Sequence, residues 1–260
     1  MKLYLGYMAM HVKSQMEYRS SLFMRTLSQF LVAFSAFWAL QFLFMRFDNV
    51  GGFTQFEVML TFAIMVMAFS LGELVGRGFD YFPILVSDGG FDRALVRPRN
   101  VAFQVLASQM HLHRLGRLLQ AVVVLVYVLP RGDIIWNMAN VGVLLLMIIC
   151  GAVLFFCLFV LCAAVSFFIP TAEGMEFINV LTNGGVEHGR LPFGVYGDGI
   201  LKFLTYVVPL ALVQYYPLLY ITGRSDRLVD ALAPLFATLF LIPCVGFFRF
   251  GMRRYKSIGS

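Results

Sequence analysis

The amino-acid sequence predicts an all-α, polytopic membrane protein. Apolar residues make up 60% of its 260 positions and charged residues only 13%, whereas globular domains carry about 25% charged residues. A membrane-crossing helix needs roughly 20 consecutive, mostly apolar residues. The strongest windows of that kind are 27–45, 56–75, 115–130, 139–169, 200–222 and 228–248. No polar block is long enough for a second domain, so residues 1–260 are expected to form one transmembrane domain.

The first 25 residues predict an amphipathic helix that lies in the membrane interface. Apolar and polar side chains recur on different faces at near-helical spacing. The apolar positions are Tyr4, Met8, Val12, Met16 and Phe23, and the polar ones are Lys13, Ser14, Glu17, Ser20 and Ser21. The alternative is an extended start of the first span.

The segment before the last span allows two arrangements. Pro170 ends the fourth apolar run, and Pro209 and Pro217 interrupt residues 200–222, where each proline would kink or break a helix. Either residues 200–222 are a kinked fifth span, or residues 171–190 are a polar fifth span and 200–222 form a re-entrant hairpin on the outer side.

The distribution of Lys and Arg predicts the orientation. Cytoplasmic segments carry an excess of these residues. With six spans and a cytoplasmic amino terminus, 16 of the 20 Lys and Arg residues fall on cytoplasmic segments, and 14 of 20 do so in the re-entrant arrangement. Both arrangements predict cytoplasmic termini and a cytoplasmic, Arg-rich loop at residues 76–117.

Sequence signatures of enzymes are missing. None of the four lysines follows a glycine, so there is no P-loop, and HExxH, GxSxG and CxxC patterns do not occur. We therefore expect no catalytic residues, no metal site and no cofactor bound by this chain. The basic excess is explained by membrane topology, so no nucleic-acid partner is expected. His111 and His113 are interpreted as membrane-surface histidines.

Acidic residues within or beside spans are costly and often functional. Glu57 and Glu73 lie near the two ends of the second apolar run, where snorkelling to the interface is a sufficient explanation. Glu173 and Glu176 share a helix face at i,i+3 spacing and are candidates for the translocation path. Their alternative interpretation is the start of a cytoplasmic helix, where carboxylates favour the helix dipole.

The loop at residues 76–117 carries six arginines and is the largest polar surface of the chain. A short helix is expected after Pro98, because proline is well tolerated at the first helical position. Its apolar side chains would seat it on the membrane face; they are Val101, Phe103, Val105 and Leu106. Charge-assisted contacts to a docking protein would then come from Asp92, Arg93, Arg97 and Arg99. The alternative is a solvated loop whose arginines only enforce topology.

The loop also carries a family resemblance. The run Gly90-Phe91-Asp92-Arg93-Ala94-Leu95-Val96-Arg97-Pro98 resembles the Gly-x-Asp-x-x-Leu-x-Arg-Pro signature of type-2 ATP-binding-cassette (ABC) transporter permeases, in the branch of roughly this length. Residues 191–196, 208–211 and 216–217 resemble that branch's later proline and tyrosine motifs. Together with chain length and span count, the resemblance covers nearly the whole chain.

The resemblance implies a permease subunit of an exporter in the bacterial cytoplasmic (inner) membrane. Its partners would be two copies of a cytoplasmic ABC ATPase, which bind ATP and Mg²⁺, and a second permease, identical or paralogous. Coupling to the ATPase would involve Gly90, Asp92, Arg93, Arg97 and Pro98. The resemblance also favours a re-entrant outer hairpin at 200–222 before the sixth span, and an amphiphilic or lipid-like substrate suits the apolar interior.

Two other function classes compete with this one. A self-sufficient, ion-coupled secondary transporter or channel would use Glu173 and Glu176, but no internal repeat relates two halves of the chain, as many such transporters show. A membrane-embedded enzyme would need a convergent acid, base or metal cluster, and no such spacing appears in the sequence.

Overall fold

The computed structural model describes residues 2–132, 134, 136–169, 180 and 182–255. Nearly all of this chain is helical. The α-helices are α1 (Lys2–Glu17), α2 (Arg19–Arg46), α3 (Gln55–Asp80), α4 (Phe82–Ser87), α5 (Gly90–Leu95), α6 (Val101–Ser108), α7 (Leu115–Val128), α8 (Met138–Val165), α9 (182–188), α10 (Asp198–Tyr206), α11 (Leu210–Ile221), α12 (Leu228–Thr238) and α13 (Leu241–Arg254). Short 3-10 turns occupy Leu112–Arg114, Leu129–Arg131 and Phe193–Tyr196.

Five helical segments are long and apolar enough to cross a membrane. They are Arg19–Arg46, Gln55–Ser87, Leu112–Arg131, Met138–Val165 and Leu228–Arg254. A sixth candidate is the pair α10 and α11, whose axes are bent by 112°. The predicted all-α, polytopic architecture is therefore confirmed, with five or six candidate spans within the described residues.

The first two helices are separate. Tyr18 leaves the helical conformation, with φ −106° and ψ 63°, so α1 ends well before residue 25. Gln15 attaches α1 to the segment that follows α6: its side chain donates to the carbonyl oxygen of Met110 at 2.6 Å and accepts from the Leu112 amide at 2.9 Å. The side chain of His11 lies 3.1 Å from the carbonyl oxygen of Ala107.

A two-stranded hairpin joins α2 to α3. Strands β1 (Asn49–Val50) and β2 (Phe53–Thr54) pair antiparallel. Gly51 and Gly52 form the turn with φ values of +59° and +83°. Two consecutive positive φ angles are the geometry of a tight hairpin turn, which glycine adopts without a steric penalty.

Helix α3 is the centre of the molecule and packs against α7 and α8. Its side chains from Val58 to Ser70 are buried on all faces, as expected of a helix surrounded by others. A Cβ at Gly72 would lie 2.8 Å from the carbonyl oxygen of Ala152. Helices α3 and α8 therefore approach each other closely at this glycine.

Contacts define two ends of the helical bundle. We call one the Arg-rich end; it carries α4, α5, α6 and the start of α7. Both ends of the described chain lie there, because α1 contacts the segment after α6 and Tyr255 packs on Phe91 with ring centroids 4.9 Å apart. The hairpin end, at the other side of α3, carries β1 and β2.

The segment from α9 to α11 is held together by one buried side chain. Gln214 donates to the carbonyl oxygens of Gly189 (2.7 Å) and Leu191 (2.8 Å) and accepts from the Phe193 amide (3.0 Å). The predicted break at Pro209 is confirmed, since α11 begins directly after it. The predicted interruption at Pro217 is wrong: α11 continues through this proline to Ile221.

Candidate functional site

The predicted loop at 76–117 is mostly helical at the Arg-rich end. Helix α3 continues to Asp80, and α4, α5 and α6 follow. Gly89 precedes α5 with a φ of +64°, a left-handed conformation that favours glycine. The helix expected after Pro98 begins at Val101, and Asn100 caps it by accepting from the Phe103 amide at 3.3 Å.

The predicted coupling residues surround the turn from α5 to α6. Arg93, Arg97 and Pro98 are exposed, Asp92 is half-buried and Gly90 is buried. The most exposed apolar side chain in the turn is Val96. We call the exposed part, residues 93–100, the basic tip.

Two side chains shape the region around the basic tip. Gln104 of α6 donates to the carbonyl oxygens of Ala94 and Arg99, at 3.1 and 3.0 Å, and so closes the turn. A Cβ at Gly90 would lie 2.8 Å from Cδ1 of Leu85 and 3.3 Å from its carbonyl oxygen, so a larger residue there would force the Leu85 side chain to move. These contacts give the tip a fixed shape.

An aromatic cluster anchors α5 to the bundle. Phe91 is fully buried, and its ring lies 5.0 Å from Phe82 of α4, 5.4 Å from Phe167 after α8 and 4.9 Å from Tyr255 after α13. Phe248 of α13 continues the cluster at 5.6 Å from Phe82. Edge-to-face pairs at these distances stabilise beyond their buried area. One side chain of α5 thus contacts three other parts of the bundle.

Helix α6 is fastened separately, at a glycine of α3. A Cβ at Gly78 would lie 1.8 Å from the carbonyl oxygen of Val105, which no other residue could accommodate without displacing α6. Val105 itself is buried against α3. The glycine at position 78 is therefore explained by the crossing of α3 and α6.

Beneath the basic tip, Glu73 is the centre of an ionic cluster. Its side chain is 4% exposed. Its Oε1 lies 3.3 Å from both Arg77 Nη1 and Arg114 Nε, and its Oε2 lies 3.7 Å from Arg117 Nη1. Arg77 also pairs with Asp80. We call this group, Glu73, Arg77, Asp80, Arg114 and Arg117, the Glu73 cluster. The prediction that snorkelling explains Glu73 is wrong, because the carboxylate is enclosed by arginines from two helices.

His111 borders the Glu73 cluster. Its Nδ1 accepts a hydrogen bond from Arg77 Nε at 3.2 Å, so this nitrogen is unprotonated. Burial, reinforced by Arg77 and neighbouring basic groups, lowers the pKa of His111 to about 4. His113 stacks on His111 with ring centroids 5.3 Å apart. His113 lies in the 3-10 turn Leu112–Arg114, and His111 precedes that turn in an extended conformation.

At the hairpin end, Glu57 is also buried, at 4% exposure. Its Oε2 accepts from the amide and hydroxyl of Thr54, at 2.7 and 3.1 Å, and from Arg224 at 2.7 Å. Arg224 also donates to the carbonyl oxygen of Gly52 at 2.9 Å and lies over the Phe53 ring. Snorkelling is therefore the wrong explanation for Glu57 too: it caps α3 and holds the loop before α12.

The candidate translocation residues Glu173 and Glu176 lie outside the described residues. Within the part of the chain that is described, no three His, Cys, Asp or Glu side chains group closely enough to hold a metal ion.

Comparison with known proteins gives one match. A family model described as ABC-2 family transporter protein matches residues 30–259, which is most of the chain. No curated protein and no solved structure matches it. Together with the candidate spans and the type-2 permease signature at Gly90–Pro98, the match identifies the family. The chain belongs to the type-2 ABC transporter permeases and is a multi-pass transmembrane permease subunit.

Proposed function

We propose that this permease belongs to an exporter of an amphiphilic or lipid-like substrate, driven by two copies of a separate cytoplasmic ABC ATPase. A second permease, identical or paralogous, completes the complex. The observation that carries the proposal is the exposed basic tip, which stands on a short helix whose buried face contacts three parts of the membrane bundle.

The proposed orientation places the Arg-rich end in the cytoplasm of a bacterial cell, with the protein in the inner membrane. The excess of Lys and Arg on the segments at this end supports it. Contacts of α1 and Tyr255 at the same end support cytoplasmic locations for both termini. In this orientation α1 lies along the cytoplasmic membrane surface.

The basic tip is suited to an acidic groove on the ATPase. Arg93, Arg97 and Arg99 are exposed, and guanidinium groups form paired, charge-assisted hydrogen bonds with carboxylates. Asp92 and Pro98 complete the predicted coupling set. ATP-driven closure of the two ATPases would then displace the tip.

Displacement of the tip would pass into the spans through two attachments. The first is Phe91, whose contacts reach α4 and the ends of α8 and α13. The second is the crossing of α6 over Gly78 of α3. Because close-packed interiors shift as bodies and not as fluids, a push on the tip would move these helices together.

Contacts at the hairpin end favour a re-entrant hairpin for α10 and α11. A Cβ at Gly51 would meet Val195 at 2.8 Å, and Arg224 donates to Gly52, so the chain enters and leaves this segment at the same end. With 9 and 12 residues, the helices are about 13 and 18 Å long, shorter than the roughly 30 Å hydrocarbon core. Residues 171–190 are then the fifth span, and Glu173 and Glu176 stay candidates for its path.

The test is co-purification from the native host with charge reversal in the tip. The tagged chain, extracted in mild detergent, is expected to bring down a stoichiometric ATPase and a second permease or a second copy of itself. The variant Arg97→Glu, alone and with Asp92→Asn, should lose the ATPase and substrate transport while remaining inserted, because the reversed charge repels an acidic groove.

The matched control is Arg227→Glu, which reverses an exposed arginine at the hairpin end and should retain the ATPase. A folded chain that repeatedly purifies alone, and transports without ATP, would reject the proposal in favour of the ion-coupled transporter. Retention of the ATPase by Arg97→Glu would reject the assignment of the tip.

A further inference from the structure

A cavity of about 340 Å³ lies beside the Glu73 cluster, lined by residues of α3, α4, α8 and α9 and by Arg114, which precedes α7. This volume is within the range of small-molecule sites. Its lining includes Phe69, Glu73, Arg77, Asp80, Arg114 and Phe159. Three candidate spans contribute residues to the cavity, which lies at the Arg-rich end.

Four members of the Glu73 cluster line the cavity: Glu73, Arg77, Asp80 and Arg114. Their charges balance, and Arg117, which contacts Glu73 outside the lining, gives the whole cluster one more positive than negative group. The Glu73 cluster contains three guanidinium groups and two carboxylates. Three guanidinium groups offer roughly fifteen N–H donors against about eight acceptor positions on two carboxylates. His111 adds no charge at neutral pH, because its pKa is about 4. The cluster therefore has donor capacity and positive charge to spare.

The cluster also leaves one buried donor and one buried acceptor without a hydrogen bond among the described residues. Arg114 Nε and Glu73 Oε2 are inaccessible to solvent and have no hydrogen-bond partner among the described residues. Arg114 Nε is 3.3 Å from Glu73 Oε1, but the pair is not aligned for a hydrogen bond. Buried polar atoms left in this state are costly, and a ligand that rearranges the cluster would remove the cost.

Another part of the cavity lining is apolar. Phe69 and Phe159 are buried, with ring centroids 5.9 Å apart, and Arg117 lies over the Phe69 ring at 5.0 Å. A purely apolar ligand would leave the surplus positive charge of the cluster unneutralised, and that surplus also disfavours a cation. The charged and apolar parts of the lining together suit a molecule with an anionic group next to an apolar part.

We propose that this cavity binds the anionic headgroup, such as a phosphate, of an amphiphilic substrate whose apolar part lies against Phe69 and Phe159. This inference rests on the proposed function, which it deepens by naming the substrate class. Arg114 binds the headgroup oxygens, and Arg77 supports them from α3. Glu73 holds the arginines together when the cavity is empty and competes with the headgroup for them.

Binding is tested on the purified chain, with any partners that accompany it, in a neutral detergent. The probe is dihexanoyl phosphatidic acid, compared with dihexanoyl phosphatidylcholine of equal chain length and with inorganic phosphate. We expect phosphatidic acid to bind at least about tenfold more tightly than either, since only it has both an unshielded anion and an apolar part.

Three variants localise the binding. Arg114→Gln should weaken the affinity for phosphatidic acid at least about tenfold, because a charge-assisted contact is lost, and Arg114→Lys should weaken it less. Glu73→Gln should melt at a lower temperature without ligand, yet bind phosphatidic acid more tightly and be stabilised by it more than the original chain. The matched control, Arg131→Gln near the other end of the same span, should bind unchanged.

Several outcomes would overturn the inference. Equal affinity for the two lipids, or unchanged binding by Arg114→Gln with a normal elution profile, would reject the anionic site. Equally tight binding of inorganic phosphate would reject the amphiphile. Weaker binding by Glu73→Gln would reject the competition between Glu73 and the headgroup.

The ATPase activity of the co-purified complex tests whether the bound amphiphile is the substrate. Phosphatidic acid should stimulate hydrolysis at least about twofold. Arg114→Gln should abolish the stimulation, whereas the control Arg131→Gln should retain it. Binding without stimulation would reject the substrate assignment. If no ATPase co-purifies, the proposed function fails, whereas the binding measurements on the chain alone still decide the site.

Discussion

Two glutamates on one helix have opposite surroundings. Glu57 and Glu73 lie near the two ends of α3, and each is under 5% exposed. Glu57 Oε2 accepts three hydrogen bonds, two from its own capping turn and one from Arg224. Glu73 is shared among three arginines, and its Oε2 accepts none from the described residues. The two carboxylates are equally buried, but the contacts of Glu57 are complete, whereas Glu73 has one oxygen without a hydrogen bond among the described residues.

The largest effect that would sharpen this comparison is expected from Glu73→Leu. It leaves three arginines beside a single carboxylate, and uncompensated buried charge costs about 3–5 kcal/mol. Thermal unfolding in detergent should show the variant to be the least stable of the set. A melting temperature equal to that of the original chain would show that the arginines are solvated and the cluster is not a buried one.

A smaller loss is expected from Glu57→Gln. The amide keeps one acceptor for the capping turn of α3 but loses the ionic bond to Arg224, so the cost should be about 1–3 kcal/mol. The same unfolding assay measures it, with Arg224→Gln as the partner variant. If Glu57→Gln were more damaging than Glu73→Leu, the comparison between the two ends would be reversed.

Gln120 extends the comparison to neutral groups. Its side chain is fully buried in α7, and neither amide atom has a partner among the described residues. Gln120→Leu should therefore stabilise the protein by about 1 kcal/mol, because an unsatisfied polar group is replaced by an apolar one of similar size. Gln214→Leu is the matched opposite and should destabilise it. A destabilising Gln120→Leu would indicate that this amide is satisfied in the assembled transporter.

The smallest effect is a dependence on pH at the Arg-rich end. The pKa of His111 is lowered from 6.5 to about 4, so between these values the unfolded chain binds more protons than the folded one. Stability from this group is complete above about pH 6.5 and is lost as the pH falls towards 4. Between about pH 7 and pH 5, the melting temperature of His111→Gln should fall less than that of the original chain. An identical loss would mean that other groups cause the acid sensitivity.

The sequence predicted the spans well because apolar length is a local property. Windows 56–75 and 139–169 correspond to α3 and α8, which extend beyond them at one or both ends. Pro209 marked a real break, whereas α11 passes through Pro217. Neighbouring helices can satisfy the backbone groups that a proline frees, and a single sequence does not reveal those neighbours.

The site could be predicted only in part. The signature at Gly90–Pro98 located the basic tip. The Thr54-x-x-Glu57 spacing is typical of a capping box and could have predicted the role of Glu57. Glu73 and Arg77 stand at i,i+4 spacing, which also could have suggested a pair. The contacts from Arg114 and Arg117 join two spans about 40 residues apart, and such proximity follows from packing and not from any local pattern.

The three hydrogen bonds of Gln214 have a consequence for how movement passes from one helix to another. They fasten α11 to the backbone at Gly189, Leu191 and Phe193, so α11 and the end of α9 form a single mechanical element. A tilt of α9 is therefore expected to move α11. A fluorophore on Tyr206→Cys, a position 83% exposed at the turn between α10 and α11, would follow that movement, and Gln214→Leu should uncouple it from α9.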